Sequence, residues 1–213
     1  MSQALRGVLG RLALCAAVCL GSACLSTPEA KAPAAGTAAP WSSAFERVNW
    51  ISEWDAKEKG RFGLDNAVVE SDPESPGGRF LRVRYYKGGA SPSASRKAGV
   101  KEGGAQLLGQ SPGGPAERMF LRYFVRFAPD FDFVKGGKLP GLYGGTRISG
   151  GNVPDGTDGF STRFMWRTGG AGEVYAYMPS SQRFGTSLGR GNFQFSPGKW
   201  HCVEQELKLN TPG

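Results

Sequence analysis

From residue 79 onward the chain alternates apolar and polar positions in short runs separated by glycine-rich turns. "RFLRVRYYKG" (79–88) sets Leu81, Val83 and Tyr85 on one side and Arg82, Arg84 and Tyr86 on the other. A period of two is that of a half-buried strand. "RMFLRYFVRFAPDFDF" (118–133) repeats the pattern, with Met119, Leu121, Tyr123 and Val125 opposed to Phe120, Arg122, Phe124 and Arg126. "FSTRFMWRTGGAGEVYAYMP" (160–179) holds two such runs around a glycine turn, and "GNFQF" (191–195) and "KWHCVEQELKLN" (199–210) predict a short strand and a longer one. Residues 45–71 are mixed, with room for a short strand, and residues 87–117 read as a long Gly/Ser loop. No run has the period of a long amphipathic helix. Short strands joined by turns, without helical spacers, predict an all-β fold: an antiparallel β-sandwich of the jelly-roll type. The chain ends on "NTPG", a turn signal, so a further strand is expected to follow.

Composition agrees: 33 Gly and 14 Pro among 213 residues, with 13 Phe, 6 Tyr and 5 Trp, suit aromatic strands and tight turns. The first residues differ. Arg6 and Arg11 precede the apolar run "LALCAAVCLGSAC" (12–24), which is too short to span a bilayer and reads as a secretion signal over residues 1–24. Cys24 follows Gly-Ser-Ala, an imperfect lipoprotein box. Lipidation of Cys24, which would tether the protein to a membrane, and ordinary cleavage nearby both stay open. Residues 25–40, rich in Ala, Pro and Thr, read as a disordered tether, leaving residues 41–213 as the folded domain of a secreted or surface-tethered protein. Three of the four cysteines lie in the leader, so no disulfide framework is expected, and Cys202, alternating with apolar neighbours, is expected in the core. The net charge is +8, which in an exported protein points to a polyanionic partner such as an acidic polysaccharide. The basic residues are scattered along strands, not gathered on a nucleic-acid-binding helix, and a monomer is expected. Arg84 and Arg122, cations on these strands, are the expected substrate-binding positions.

The 160–179 stretch carries the chemistry. Phe160, Thr162, Phe164 and Trp166 must face one way and Ser161, Arg163, Met165 and Arg167 the other. On the following strand Val174, Ala176 and Met178 oppose Glu173, Tyr175 and Tyr177. If both apolar sets share the core, Ser161, Arg163, Tyr175 and Tyr177 form one patch on the opposite face, and that parity requires an odd-length turn or a bulge. A guanidinium neutralises a carboxylate. A phenol beside a cation ionises more readily and can serve as base or acid. These groups suit β-elimination on a polyuronate: the cation binds the C6 carboxylate and acidifies C5–H, and a tyrosine takes the proton. The O4 leaving group is then protonated. The chemistry needs no cofactor and no metal.

In order along the chain, "GGKLPGLYGG", "DGFSTRFMWR", "GEVYAYMP" and "GKWHCVEQELKLNTPG" resemble polysaccharide lyase family 14, which includes alginate and glucuronan lyases, from about Phe120 to Gly213. The resemblance implies a jelly roll with its active site in a cleft on one sheet. It implies a catalytic lysine at Lys138, with Lys138 and Arg163 neutralising the substrate carboxylate. Tyr175 would be general base and acid, and Tyr177 and Ser161 would position the sugar or share the proton. Lys138 is contributed by the resemblance alone; its surroundings read as loop. The rival is a non-catalytic module that holds an acidic glycan in the same groove. Other groups carry less. Glu204 and Glu206 are spaced i, i+2 on a strand but lack a third acidic neighbour for glycoside hydrolysis and read as a polar strand face. His201, the single histidine, reads as structural. Asn152, Asp155 and Asp158 do not have the spacing of a calcium loop.

Overall fold

The computed structural model describes residues 2–8 and 41–210, apart from 48, 55, 90, 91 and 112. The strands are β1 (Ser2–Val8), β2 (Lys57–Phe62), β3 (Ala67–Ser71), β4 (Arg79–Arg84), β5 (Gln106–Leu108), β6 (Arg118–Phe127), β7 (Gly136–Lys138), β8 (Tyr143–Gly145), β9 (Gly159–Arg167), β10 (Gly172–Tyr177), β11 (Thr186–Leu188) and β12 (Trp200–Lys208). All their pairings are antiparallel. One sheet runs β12-β6-β1-β4-β3 and a second runs β11-β10-β9-β7, with β8 also on β9; β2 and β5 form a separate ribbon. The two large sheets pack face to face. Leu121, Tyr123, Val125 and Phe127 of β6 meet Phe164 and Trp166 of β9 in one buried cluster. Phe127, fully buried, lies 5.3 Å from Trp166 and 4.9 Å from both Phe131 and Phe133, ring centre to ring centre. Truncating it to alanine would cost about 3–5 kcal/mol. A second cluster of Phe45, Trp50, Ala67, Leu81 and Val83 closes the other end. The all-β sandwich is as the alternation predicts.

Several local expectations differ. Residues 191–195 form a turn whose one ladder contact is a bridge from Gln194 to Ala171, not a strand. The long Gly/Ser segment contains a short helix, Pro92–Ala98, and β5, which pairs with β2. Cys202 is exposed: Val203 turns into the core, so Cys202 and Glu204 project outward opposite Phe124 and Arg122. The tether (25–40), Cys24 and all of the leader except Ser2–Val8 lie outside the described residues. Ser2–Val8 form β1, between β4 and β6. Among the described residues no helix is long and apolar enough to cross a membrane.

Candidate active site

β9 and β10 form the hairpin that carries the patch. Their register sets Tyr177 opposite Ser161, Tyr175 opposite Arg163 and Glu173 opposite Met165. Three residues, Thr168–Gly170, lie between Arg167 and Ala171, whose carbonyl accepts the Arg167 N–H at 2.7 Å. That odd count is what the shared face requires, and Gly169 and Gly170 make the turn at φ 69° and 87°. Phe164 and Trp166 point into the core, so Ser161, Arg163 and Arg167 face outward with Tyr175, Tyr177 and Glu173.

Lys138 joins them from the other side of β9. It lies opposite Met165, hence on the same face as Arg163. The segment reaches there because two glycines let it lie flat on β9. A Cβ on Gly137 would come 2.1 Å from the Trp166 ring, and one on Gly141 would come 2.0 Å from the Thr162 carbonyl oxygen. The backbone continues along β9 between β7 and β8 through Leu139 N–H to Phe164 C=O (2.8 Å) and Thr162 N–H to Leu142 C=O (2.8 Å).

The patch is strongly cationic. Lys138 is held below the ordinary lysine value, first by desolvation and then by the positive charge of Arg163, Arg147 and Arg167. Arg163 is lowered by burial and by Arg147, while Tyr177 and Tyr175 oppose that shift. Its Nη2 is buried with no hydrogen-bond partner among the described residues, a donor left to be satisfied from outside the protein. Arg147, from the loop after β8, and Arg167, from the end of β9, are cations that sequence reasoning did not assign to the site. Arg167 shares the alternation of Arg163 and was legible two residues further along; Arg147 sits in a loop without periodic signal.

The two tyrosines differ. Their rings meet edge to face at 5.6 Å. Tyr177 is 3 % exposed, and its oxygen accepts the Gly151 N–H at 3.3 Å. Ser161 is likewise buried and donates to the Ile148 carbonyl. This pair therefore holds the loop that carries Arg147. Tyr175 is partly exposed, beside Arg163 and beneath the Arg167 guanidinium, which lies 5.4 Å from its ring centre. Its pKa is raised: burial and Tyr177 outweigh the pull of Arg167. The neighbouring cation does favour the phenolate, as expected, but burial and Tyr177 outweigh it.

Arg84 and Arg122 are not brought to the patch. Leu121 and Tyr123 fill the core side of β6, and Leu81 and Val83 that of β4, so both arginines project from the opposite outer face of the sandwich. Arg122 Nε lies 3.2 Å from the Glu204 carboxylate, and Arg118 pairs with Glu206 at 2.7 Å. The two glutamates thus form a polar strand face. His201 is bound to the backbone of Ser196, 3.0 Å from its N–H, and packs on Phe195. The Asp155 carboxylate is occupied by the N–H groups of Thr157 and Asp158.

A family model for polysaccharide lyase 14 matches residues 73–213. Among solved structures, the marine PL-14 alginate lyase from Aplysia kurodai superposes with a TM-score of 0.59 at 32% identity, over 71% of this chain and 62% of that one. The alginate lyase vAL-1 from Chlorella virus gives a TM-score of 0.58 at 21% identity, over 74% of this chain and 65% of that one, a likeness of fold. This chain spans less than two thirds of the length of either. No curated protein matches it.

Proposed function

The chain belongs to the polysaccharide lyase 14 family, and from that premise we propose that it cleaves an acidic polyuronate by β-elimination. The observation that carries the reading is the juxtaposition of Arg163 and Tyr175 as direct cross-strand neighbours, with Lys138 on the same face one strand away. Lys138 and the unpartnered Nη2 of Arg163 bind the C6 carboxylate of the sugar and stabilise the charge that develops when C5 loses its proton. The ionised Tyr175 takes that proton. The C5–H electron pair forms the C4–C5 double bond, the C4–O4 bond breaks, and O4 receives a proton from Tyr175 or from its neighbour Tyr177. Ser161 and Tyr177 act mainly by fixing the loop that presents Arg147.

The similar structures are of alginate lyases, which makes alginate the first substrate to test, followed by glucuronan. Tyr175→Phe is expected to lower kcat at least about 10²-fold, the upper part of what general acid–base catalysis supplies, with KM within about threefold. The measurement is the ultraviolet absorbance of the unsaturated uronate end. A Tyr175→Phe variant with the wild-type rate removes Tyr175 as base. Binding of alginate by the wild-type chain without any absorbance rise makes it a glycan-holding module. Residues 1–24 are proposed to direct export, ending either in lipid attachment at Cys24 or in ordinary cleavage nearby, with residues 25–40 as the tether.

A further inference from the structure

Among the described residues, Glu173 is the most deeply buried charge outside the groups assigned above. Its side chain is 0 % exposed, although it lies on the outward face of β10. A carboxylate so placed costs several kcal/mol unless paired. The pairing is one-sided: Arg167 brings Nε to 2.8 Å and Nη2 to 2.5 Å of Oε1. Oε2 makes no hydrogen bond among the described residues, with Arg190 Nε at 3.9 Å. The same guanidinium that Glu173 grips covers Tyr175, its Cζ 5.4 Å from the ring centre. Arg167 is itself largely buried, with 23% of its side chain exposed. The order along the surface is therefore buried carboxylate, clamped guanidinium, partly exposed phenol.

We propose that Glu173 is a positioning residue for the lyase reaction: it clamps Arg167 over Tyr175 and so fixes the orientation and charge environment of the proposed base. This rests on the reading of Tyr175 given above. The charged and titratable groups facing Tyr175 are Arg163 and Arg167 from β9 and Tyr177 and Glu173 from its own strand; β11 presents Ser187 opposite it, and Lys138 stands beyond β9. The two partners act on Tyr175 with opposite sign. Arg167 favours the phenolate, Glu173 disfavours it, and the cation has the larger effect. Without the clamp, Arg167 swings to solvent, and its favourable effect on Tyr175 goes with it.

That sign makes the proposal testable. Glu173→Gln removes a negative charge near Tyr175. Acting only through space, it would make the phenol easier to ionise; acting through a released Arg167, it makes ionisation harder. The first readout needs no catalysis: an alkaline titration of phenolate absorbance on the full chain, with the matching Tyr175→Phe curve subtracted to isolate Tyr175. The expected result is an upward shift of the Tyr175 midpoint in Glu173→Gln. The double variant Glu173→Leu/Arg167→Met replaces the buried pair with apolar groups and is expected to keep the fold; it should show the same upward shift. The second readout is turnover of alginate, where both variants should lose about 10-fold or more in kcat with KM within about threefold, since misplacement of a reacting group costs rate more than binding. A downward or absent shift in Glu173→Gln overturns the proposal. So does a double variant that melts with the wild type and titrates at the wild-type midpoint. If Tyr175→Phe stays active while the midpoint still moves, Tyr175 fails as base but the clamp stands.

Discussion

Lys138 and Tyr175 are pushed in opposite directions by one patch, and their demands conflict. The reaction needs the ammonium charged and the phenol ionised together. Lys138 is lowered and Tyr175 raised, so a fall in pH takes away the phenolate and a rise takes away the ammonium, and the shifts narrow the range in which both are present. The productive form peaks between the two midpoints, in the alkaline range, and kcat/KM should rise toward that range and fall beyond it. Lys138→Arg supplies a cation that does not titrate. Its plateau should drop about 10- to 100-fold through altered geometry, but the alkaline fall should vanish and the rise continue through the Tyr175 midpoint. An unchanged bell in Lys138→Arg would assign the alkaline limb to another group. Alternation alone brings Ser161, Arg163, Tyr175 and Tyr177 to one face, because a period of two fixes a side chain's face once the core set is known. It is silent on Lys138, whose strand is three residues long and starts with two glycines, and on Arg147, which has no strand. Burial is equally invisible in the string: Glu173 and Tyr175 share a face, yet only the first is sealed.

Among the elements, the long strands were legible and the short ones were not. β6, β9 and β12 carry nine or ten residues each, enough alternation to set parity. β5, β7, β8 and β11 have three each and are defined by partners, not by pattern. Residues 191–195 show the converse. Phe193 and Phe195 alternate as in a strand, but their rings pack on each other at 5.4 Å within an irregular turn. The amino-terminal element sets two readings in competition. β1 fills the place between β4 and β6, whereas cleavage at or near Cys24 takes those residues away and leaves two facing rows of backbone donors and acceptors to be paired by another strand. Both cannot hold in one mature chain. Intact-mass measurement of protein recovered from an exporting host decides between them. A mature chain starting at or near Cys24, with acyl mass if it is lipidated, is the expected result; recovery of a chain retaining residues 2–8 removes the export reading.

At the scale of the whole molecule, charge is partitioned by the sandwich. One outer face carries Lys138, Arg147 and Arg163, and the positive charge gathered there lowers the proton affinity of Lys138 and Arg163. The other face carries Arg118, Arg122 and Arg126 against Glu206, Glu204 and Asp72, pairs that offset each other and offer a polyanion little. An acidic polymer should therefore seat on the first face only, and its capture should weaken as salt screens the patch. Raising ionic strength from about 0.1 to about 1 M shortens the screening length from ~10 to ~3 Å. KM for alginate should then rise several-fold while kcat changes little, because the clamped, partly buried groups that act on C5 are screened less than the approach to them. Arg147→Ala should raise KM several-fold and flatten that dependence. Arg122→Ala and Arg84→Ala should match the wild type at every salt concentration, because the sandwich core stands between them and the patch. Should Arg122→Ala weaken binding as much as Arg147→Ala, the polymer lies on the opposite sheet, and the lyase reading of the β9–β10 hairpin falls with it.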